Sequence, residues 1–278
     1  MRQPPEARRA DSGPELGTRT FAVRAGRHTL QVMRLSPAGE APDQPTLVLL
    51  HEGLGSIAQW RDVPRQLGAA TGLPALVYDR VGHGGSDPLP AAREAHYLHQ
   101  EAEESLPAVL DACGVAAPVL LGHSDGGTIA LLYAANFPTS PRAVVTEAAH
   151  VFVEEVTLAG IRAAVAAYES GDLRDRLVRH HGERTGPMFR GWSDTWLSPG
   201  FRHWNIEACL PHIRCPILAI QGEDDEYATP AQVRAIAAGA PRRTEVLLLP
   251  GCGHTPHHQA RERVLREIVR FVKEKAPR

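Results

Sequence analysis

The sequence predicts an α/β architecture: a mostly parallel central β-sheet flanked by helices, with a helical cap inserted into it. Three observations carry this expectation. Short runs that are apolar on both faces recur along the chain, as the central strands of a helix-covered parallel sheet do. Segments of helical periodicity separate those runs. Between Val145 and Ile217 no strand-like run occurs, yet three of the four tryptophans lie there.

The elements follow in order. Phe21–Val23 and His28–Leu35 flank Gly26 and suit an opening hairpin. Thr46–Leu50, Ala75–Tyr78, Val119–Leu121, Ala143–Val145, Ile217–Ile220 and Val246–Leu249 are the compact apolar runs expected as sheet strands. Ala95–Ala112 carries Leu98, Leu106, Val109 and Leu110 at helical spacing, with Pro107 as a kink or break. Thr128–Phe137 is small and apolar and stops before Pro138. Pro230–Ala238 opens with a proline suited to a first helical turn. Arg261–Lys273 is amphipathic. The strandless stretch holds a helical pattern at Val156–Tyr168 and the tryptophans Trp192, Trp196 and Trp204. The expected organisation is a disordered N-terminal segment at 1–20, a core formed by 21–149 and 212–278, and a helical cap at 150–211. Pro4, Pro5, Gly13, Pro14 and several arginines, without an apolar stretch, make the start read as disordered rather than as a signal peptide.

A chain of 278 residues can bury a sizeable core. Its hydrophobic share of 43% and charged share of 22% are ordinary for a globular protein. A formal net charge of −2 offers no basic excess for nucleic acid. No apolar run approaches the ~20 residues of a membrane span. Cys113, Cys209, Cys215 and Cys252 form no CxxC pair and no zinc-ligand spacing, so they read as reduced thiols in a cytoplasmic protein. The expected partner is a small-molecule substrate. Nothing in the sequence indicates an oligomeric state.

The sharpest feature is Gly122-His123-Ser124-Asp125-Gly126-Gly127, between a strand-like run and a helix. A serine on a tight, strained strand-to-helix turn is a nucleophile elbow, and the flanking glycines remove side chains that would clash there. The ordinary alternative is a glycine-rich turn with a capping serine. The helix that follows would aim its N-terminal N–H groups at Ser124 and favour developing negative charge. Serine needs a base. His254, in Gly251-Cys252-Gly253-His254 after the last strand run, is the candidate, at a strand's carboxyl end where such sheets place ligands. His257 and His258 read as surface residues at a helix start. A His254–His258 metal pair lacks an acidic third ligand nearby. Asp225, in Gln221-Gly222-Glu223-Asp224-Asp225, is the candidate acid that orients the imidazole, ahead of Asp224 by its offset from Gly222. Two converging N–H groups are then needed for an oxyanion: Asp125, after the nucleophile, and Gly53, in the loop His51-Glu52-Gly53-Leu54-Gly55-Ser56.

With these residues in view, the chain resembles the α/β-hydrolase superfamily over roughly residues 21–275. Tyr78-Asp79-Arg80-Val81-Gly82-His83-Gly84-Gly85-Ser86 is similar to that family's D-x-x-G-x-G-x-S loop, and Pro216 before the strand leading to Gly222 and Asp225 also matches. The resemblance implies the α/β-hydrolase fold, a Ser–Asp–His triad, an oxyanion hole and a helical cap after the sixth strand. The departure is at Glu52, where the family's usual His-Gly pair reads His51-Glu52; it puts the second oxyanion donor in question. His51 itself reads as a structural hydrogen-bonding residue.

Asp125 reads as a solvated or capping carboxylate, or alternatively as a charge at the pocket edge that selects cationic substrates. Trp192, Trp196 and Trp204 are candidates for the walls of an acyl pocket, with packing of the cap onto the sheet as the alternative. His150, Glu154 and Glu155, where the cap begins, read as a solvated helix face, with a position facing the cleft as the alternative. The expected function is a serine hydrolase that cleaves an ester-like bond through an acyl-enzyme, with no metal or organic cofactor. A carbon–carbon bond hydrolase, a lactonase, thioesterase or perhydrolase, and a ligand-binding module without turnover are the alternatives.

Overall fold

A computed structural model describes residues 16–41, 44–240 and 242–277. Eight strands form one sheet: β1 Leu16–Ala25, β2 His28–Pro37, β3 Thr46–Leu50, β4 Ala75–Tyr78, β5 Pro118–His123, β6 Ala143–Glu147, β7 Ile217–Gly222 and β8 Thr244–Leu249. Their order is β1-β2-β4-β3-β5-β6-β7-β8. β1 and β2 pair antiparallel, as do β2 and β4, and every other pairing is parallel.

The helices are α1 Val63–Thr71, α2 Tyr97–Gln100, α3 Leu106–Ala112, α4 Asp125–Asn136, α5 Glu155–Ser170, α6 Leu173–His181, α7 Thr185–Leu197, α8 Ala231–Gly239, α9 Pro256–Gln259 and α10 Arg261–Lys275. They cover both faces, and the strands alternate between two cores. In β3, Leu47 and Leu49 enter a core with Leu67 of α1 and Val264, Ile268 and Phe271 of α10. Val48 and Leu50 enter the opposite core with Ile129 of α4 and Leu106 of α3. A side chain on every second position of a strand faces one side, so two buried faces demand an unbroken apolar run.

Two local features differ from the sequence reading or refine it. The first strand starts at Leu16, not after residue 20, and Gly17–Thr20 pair with Met33–Ser36 of β2. Disorder is therefore overturned for residues 16–20; residues 1–15 lie outside the described residues. Pro107 splits the helical pattern it interrupts. Glu101–Ser105 form a π-helical turn between α2 and α3. A proline ring crowds the carbonyl four residues back, here Glu103, and a widened turn relieves that.

Between β6 and β7 the chain leaves the sheet and forms α5, α6 and α7. Glu154 caps α5 and also accepts hydrogen bonds from the Thr229 backbone and hydroxyl, which ties the insertion to the loop after β7. Among the described residues no helix is long and apolar enough to cross a membrane.

Candidate active site

The carboxyl ends of β3, β5, β7 and β8 bring the site together. Ser124 sits between β5 and α4 at φ +53, a left-handed conformation unusual for a residue with a side chain. Backbone crowding explains the glycines around it. A Cβ on Gly122 would lie 2.1 Å from the Gly126 carbonyl oxygen, and one on Gly126 would lie 2.0 Å from the Leu50 oxygen. The turn is held by the Ser124 N–H, which donates to the Glu147 carbonyl at 2.8 Å. The strained serine is thus over-determined by its surroundings, as such sites must be.

His254 Nε2 lies 3.0 Å from Ser124 Oγ. Its Nδ1 lies 2.9 and 3.0 Å from the two oxygens of Asp225. Asp225 is fixed in turn by the Tyr227 N–H at 2.8 Å and by Gln221 Nε2 at 2.5 Å. The two loops are stitched together. Asp224 N–H donates to Cys252 O at 3.0 Å, and the His254 N–H donates to Glu226 at 3.1 Å. A Cβ on Gly222 would meet the Cys252 oxygen at 2.2 Å, so this close approach needs glycine. Burial alone would depress the His254 pKa. The hydrogen bond and charge of Asp225, with Glu226 and Glu52 behind it, outweigh burial and raise it. Burial likewise pushes Asp225 up, but its His254 partner brings it below the usual carboxylate value.

The loop after β3 is shaped by Glu52 and His51. The Glu52 carboxylate accepts the Leu54 N–H at 2.5 Å, which removes Leu54 as a donor. Burial raises the Glu52 pKa despite that bond. His51 is a structural link: the Arg80 N–H donates to its Nε2 at 3.1 Å, so its Nδ1 carries the proton and donates to Glu52 O at 2.8 Å. Among the described residues, neither the Gly53 N–H nor the Asp125 N–H has a protein acceptor. Both residues line the cavity that holds Ser124 and His254.

That cavity measures about 620 Å³. Ile161 of α5, Leu177 of α6 and Trp192 and Trp196 of α7 roof it. Trp192 packs so tightly on the loop that a Cβ on Gly53 would lie 2.5 Å from its ring. Trp204 does not wall the cavity, contrary to its candidacy. It stacks on Phe201 at 5.2 Å and packs on Trp196, outside the lining.

Asp125 is neither solvated nor a free charge at the pocket edge. Its carboxylate is buried, accepts the Tyr97 hydroxyl at 2.8 Å and pairs with Arg80 Nη2 at 3.5 Å. Trp196 Nε1 donates to the same Tyr97 oxygen at 2.8 Å. His150 is also buried, not solvated: it lines the cavity, bonds the Tyr227 carbonyl at 3.1 Å and packs edge-on against Trp196. Glu155 does face solvent and pairs with Arg202. His257 is buried rather than superficial. Glu147 accepts both its N–H and its Nδ1–H, at 2.9 and 2.8 Å, and Trp60 stacks on its ring. Tyr227, whose ring lies 4.6 Å from that of His254, and Tyr97 carry no sequence signal. Arg80 lies inside the D-x-x-G-x-G-x-S loop, and there the motif itself was the available signal. Among the described residues no group of three His, Cys, Asp or Glu side chains could hold a metal ion.

Comparison with known proteins agrees with this architecture. The proline iminopeptidase of Lactobacillus delbrueckii subsp. bulgaricus is 26% identical over 260 residues, covering 80% of this chain and 87% of that protein. The solved proline iminopeptidase of Mycobacterium smegmatis superposes with a TM-score of 0.74 at 21% identity, over 93% of this chain and 99% of that one. The 2-hydroxy-6-oxo-6-phenylhexa-2,4-dienoate hydrolase of Rhodococcus sp. strain RHA1 gives 0.79 at 13% identity, over 92% and 99%. At those identities the two structures attest the fold alone. A family model described as the alpha/beta hydrolase fold matches residues 45–260. That match runs from the start of β3 to the end of α9 and includes Ser124, Asp225 and His254, so the chain belongs to the α/β-hydrolase fold family.

Proposed function

We propose that this hydrolase cleaves a carboxylic ester-like bond of a small molecule through an acyl-enzyme on Ser124. The observation that carries the reading is the unbroken chain Asp225–His254–Ser124 on a positive-φ elbow, opening into a cavity that also holds two uncommitted N–H groups.

His254 takes the Ser124 proton as Oγ attacks the carbonyl. The imidazolium that forms is stabilised by Asp225, which holds the proton of Nδ1 and so leaves Nε2 free to accept. The oxyanion settles between the N–H groups of Gly53 and Asp125, each worth ~10²–10³-fold in rate by analogy with other oxyanion holes. The Nε2 proton then goes to the leaving group, and the acyl-enzyme remains. A water molecule gives a proton to His254 as its oxygen attacks the acyl carbon; the bond to Ser124 Oγ then breaks, His254 returns the proton to Oγ, and the acid is released. Trp192 and Trp196, with Ile161 and Leu177, suit an apolar or aromatic acyl group.

A second reading has one observation in its favour. Two acidic residues, Glu52 and Glu226, belong to the cavity lining, which suits a substrate with a free amine, such as one carrying an N-terminal proline. A panel of p-nitrophenyl esters, thioesters, lactones, dienone ring-cleavage substrates and proline p-nitroanilide separates the reaction types. The ester reading expects kcat/KM to be highest on esters. It fails if the anilide or a dienone is turned over faster than every ester. Ser124→Ala is expected to lose both turnover and labelling by a fluorophosphonate probe. Retention of a tenth of the activity would remove Ser124 from the mechanism.

A further inference from the structure

We infer that Arg80 is a positioning residue that locks the two backbone donors of the oxyanion hole into one geometry. This rests on the acyl-enzyme reading above, in which Gly53 and Asp125 supply those donors.

Arg80 is 1% exposed and lies beneath the hole, away from the cavity lining. Its Nη2 donates to the Glu52 carbonyl oxygen at 2.8 Å. That carbonyl belongs to the same peptide unit as the Gly53 N–H, so holding the oxygen fixes the direction of the N–H. The same Nη2 lies 3.5 Å from the carboxylate of Asp125, the residue that bears the second N–H. One nitrogen therefore touches both halves of the hole. The grip on the Glu52 carbonyl is doubled. The Arg80 backbone N–H orients His51, whose Nδ1–H donates to the same oxygen. A cation on a carbonyl also polarises its peptide and strengthens the N–H as a donor.

The surroundings make Arg80 hard to explain by stability alone. Glu101 lies 4.0 Å from Arg80 and 3.3 Å from Arg93, and Arg93 covers the Tyr97 ring. Two guanidinium groups and two carboxylates are buried together, an arrangement that often adds nothing to stability over apolar packing. Arg80 Nε and Nη1 and Glu101 Oε2 have no hydrogen-bond partner among the described residues, Nη1 facing Glu101 only at ion-pair distance. What the cluster does is connect. Trp196 of the cavity roof donates to Tyr97, Tyr97 donates to Asp125, and Asp125 pairs with Arg80. The roof and both oxyanion donors thus share one rigid support.

The test compares wild type, Arg80→Lys, Arg80→Met and Ser124→Ala, each checked for native circular dichroism. Two readouts are used: hydrolysis of the best p-nitrophenyl ester, and inhibition by an aryl trifluoromethyl ketone, whose adduct places an oxyanion in the hole. Loss of donor alignment acts on the transition state and not on ground-state binding. Arg80→Met is expected to lower kcat ~100-fold and Arg80→Lys ~10-fold, with KM within about twofold of wild type. Affinity for the ketone is expected to fall in proportion to kcat/KM. A folded variant that keeps kcat within about twofold of wild type, or a loss carried by KM alone, overturns the inference. If Arg80→Met fails to fold, Arg80→Lys, which keeps the buried charge, decides by the same criteria. An inert Ser124→Ala beside unimpaired Arg80 variants removes only the role of Arg80. An active Ser124→Ala removes the acyl-enzyme reading itself.

Discussion

Asp225→Asn is the perturbation that most sharply tests the assignment of the acid. Asp225 is fully enclosed, and its two oxygens meet three donors: His254 Nδ1–H, the Tyr227 N–H and Gln221 Nε2. Asparagine keeps the shape but replaces one oxygen by an NH2 group. Both oxygen positions lie within 3.0 Å of His254 Nδ1. In either orientation one of the two positions facing Nδ1 becomes an NH2 donor while the other stays an acceptor, so the Nδ1–H tautomer loses its exclusive support and the tautomer that carries its proton on Nε2 gains. That tautomer cannot accept the Ser124 proton, and the negative charge that stabilised the imidazolium is gone. The expected loss in kcat/KM is ~10⁴-fold, or about 5 kcal/mol of transition-state stabilisation. Asp224 is the internal control. It is exposed and bonds the His254 loop only through its backbone N–H, so Asp224→Asn is expected to stay within about twofold of wild type. Steady-state kinetics on the best ester decide. A loss below tenfold for Asp225→Asn, or a larger loss for Asp224→Asn, would refute the role given to Asp225.

The remaining expectations are more local. The acid limb of the pH–kcat/KM profile is expected above 6.5, because Asp225 raises the His254 pKa over the opposing effect of burial; a limb at or below 6.5 speaks against that pairing. Stability is expected to move the other way with pH. His51, His83, His123, His150 and His181 are all held below 6.5 by burial, His181 at about 4, so the stability they contribute is full above 6.5 and is lost as pH falls toward their folded values. His254, raised, contributes in the opposite sense, fully below 6.5 and lost as pH rises through its folded pKa. Burial lowers His99 and His258 as well, and seven histidines against one predict a Tm that drops from pH 7 to pH 5; a calorimetric Tm that held constant or rose would contradict it. Gly122→Ala must displace backbone, since its Cβ would sit 2.1 Å from Gly126 O, so kcat/KM is expected to fall by more than ~10²-fold; Gly114→Ala, at φ +65 in open space, is expected to cost ~1 kcal/mol of stability and no kcat. Trp192→Ala is expected to reorder acyl substrates by ~10-fold, about 1.4 kcal/mol, whereas Trp204→Ala, outside the cavity, is expected to slow all of them alike; a uniform effect of Trp192→Ala would reassign it to packing.

The sheet was legible because burial on both faces leaves an unmistakable trace. In β3, Leu47 and Leu49 serve one core and Val48 and Leu50 the other, so no polar residue interrupts the run. The first strand left no such trace over Gly17-Thr18-Arg19-Thr20. All four are exposed, and pairing with β2, not burial, holds them in the sheet. An edge strand of this kind carries the same polar pattern as a tail, so its start leaves no mark in the sequence.

The site divides in the same way, between what the backbone demands and what only tertiary structure supplies. Gly122, Gly126 and Gly222 stand where a Cβ would strike backbone within 2.2 Å, so the elbow and the acid turn declare themselves in sequence. Asp125 illustrates the other case. At a helix start it looks like a capping charge, and its actual partners come from α2 and from the loop after β4. No local pattern announces that pairing, and it removes Asp125 as a selector of cationic substrates. If the pocket prefers an amine, the preference must come from Glu52 or Glu226, which line the cavity. The tryptophans fall between these cases. Trp192 and Trp196 are four residues apart within α7 and therefore share one helical face, the one that looks into the cavity. Trp204 lies beyond the end of that helix, after Leu197. Spacing alone thus distinguishes two of the three: a period of about 3.6 residues sets Trp192 and Trp196 on one face and says nothing of Trp204.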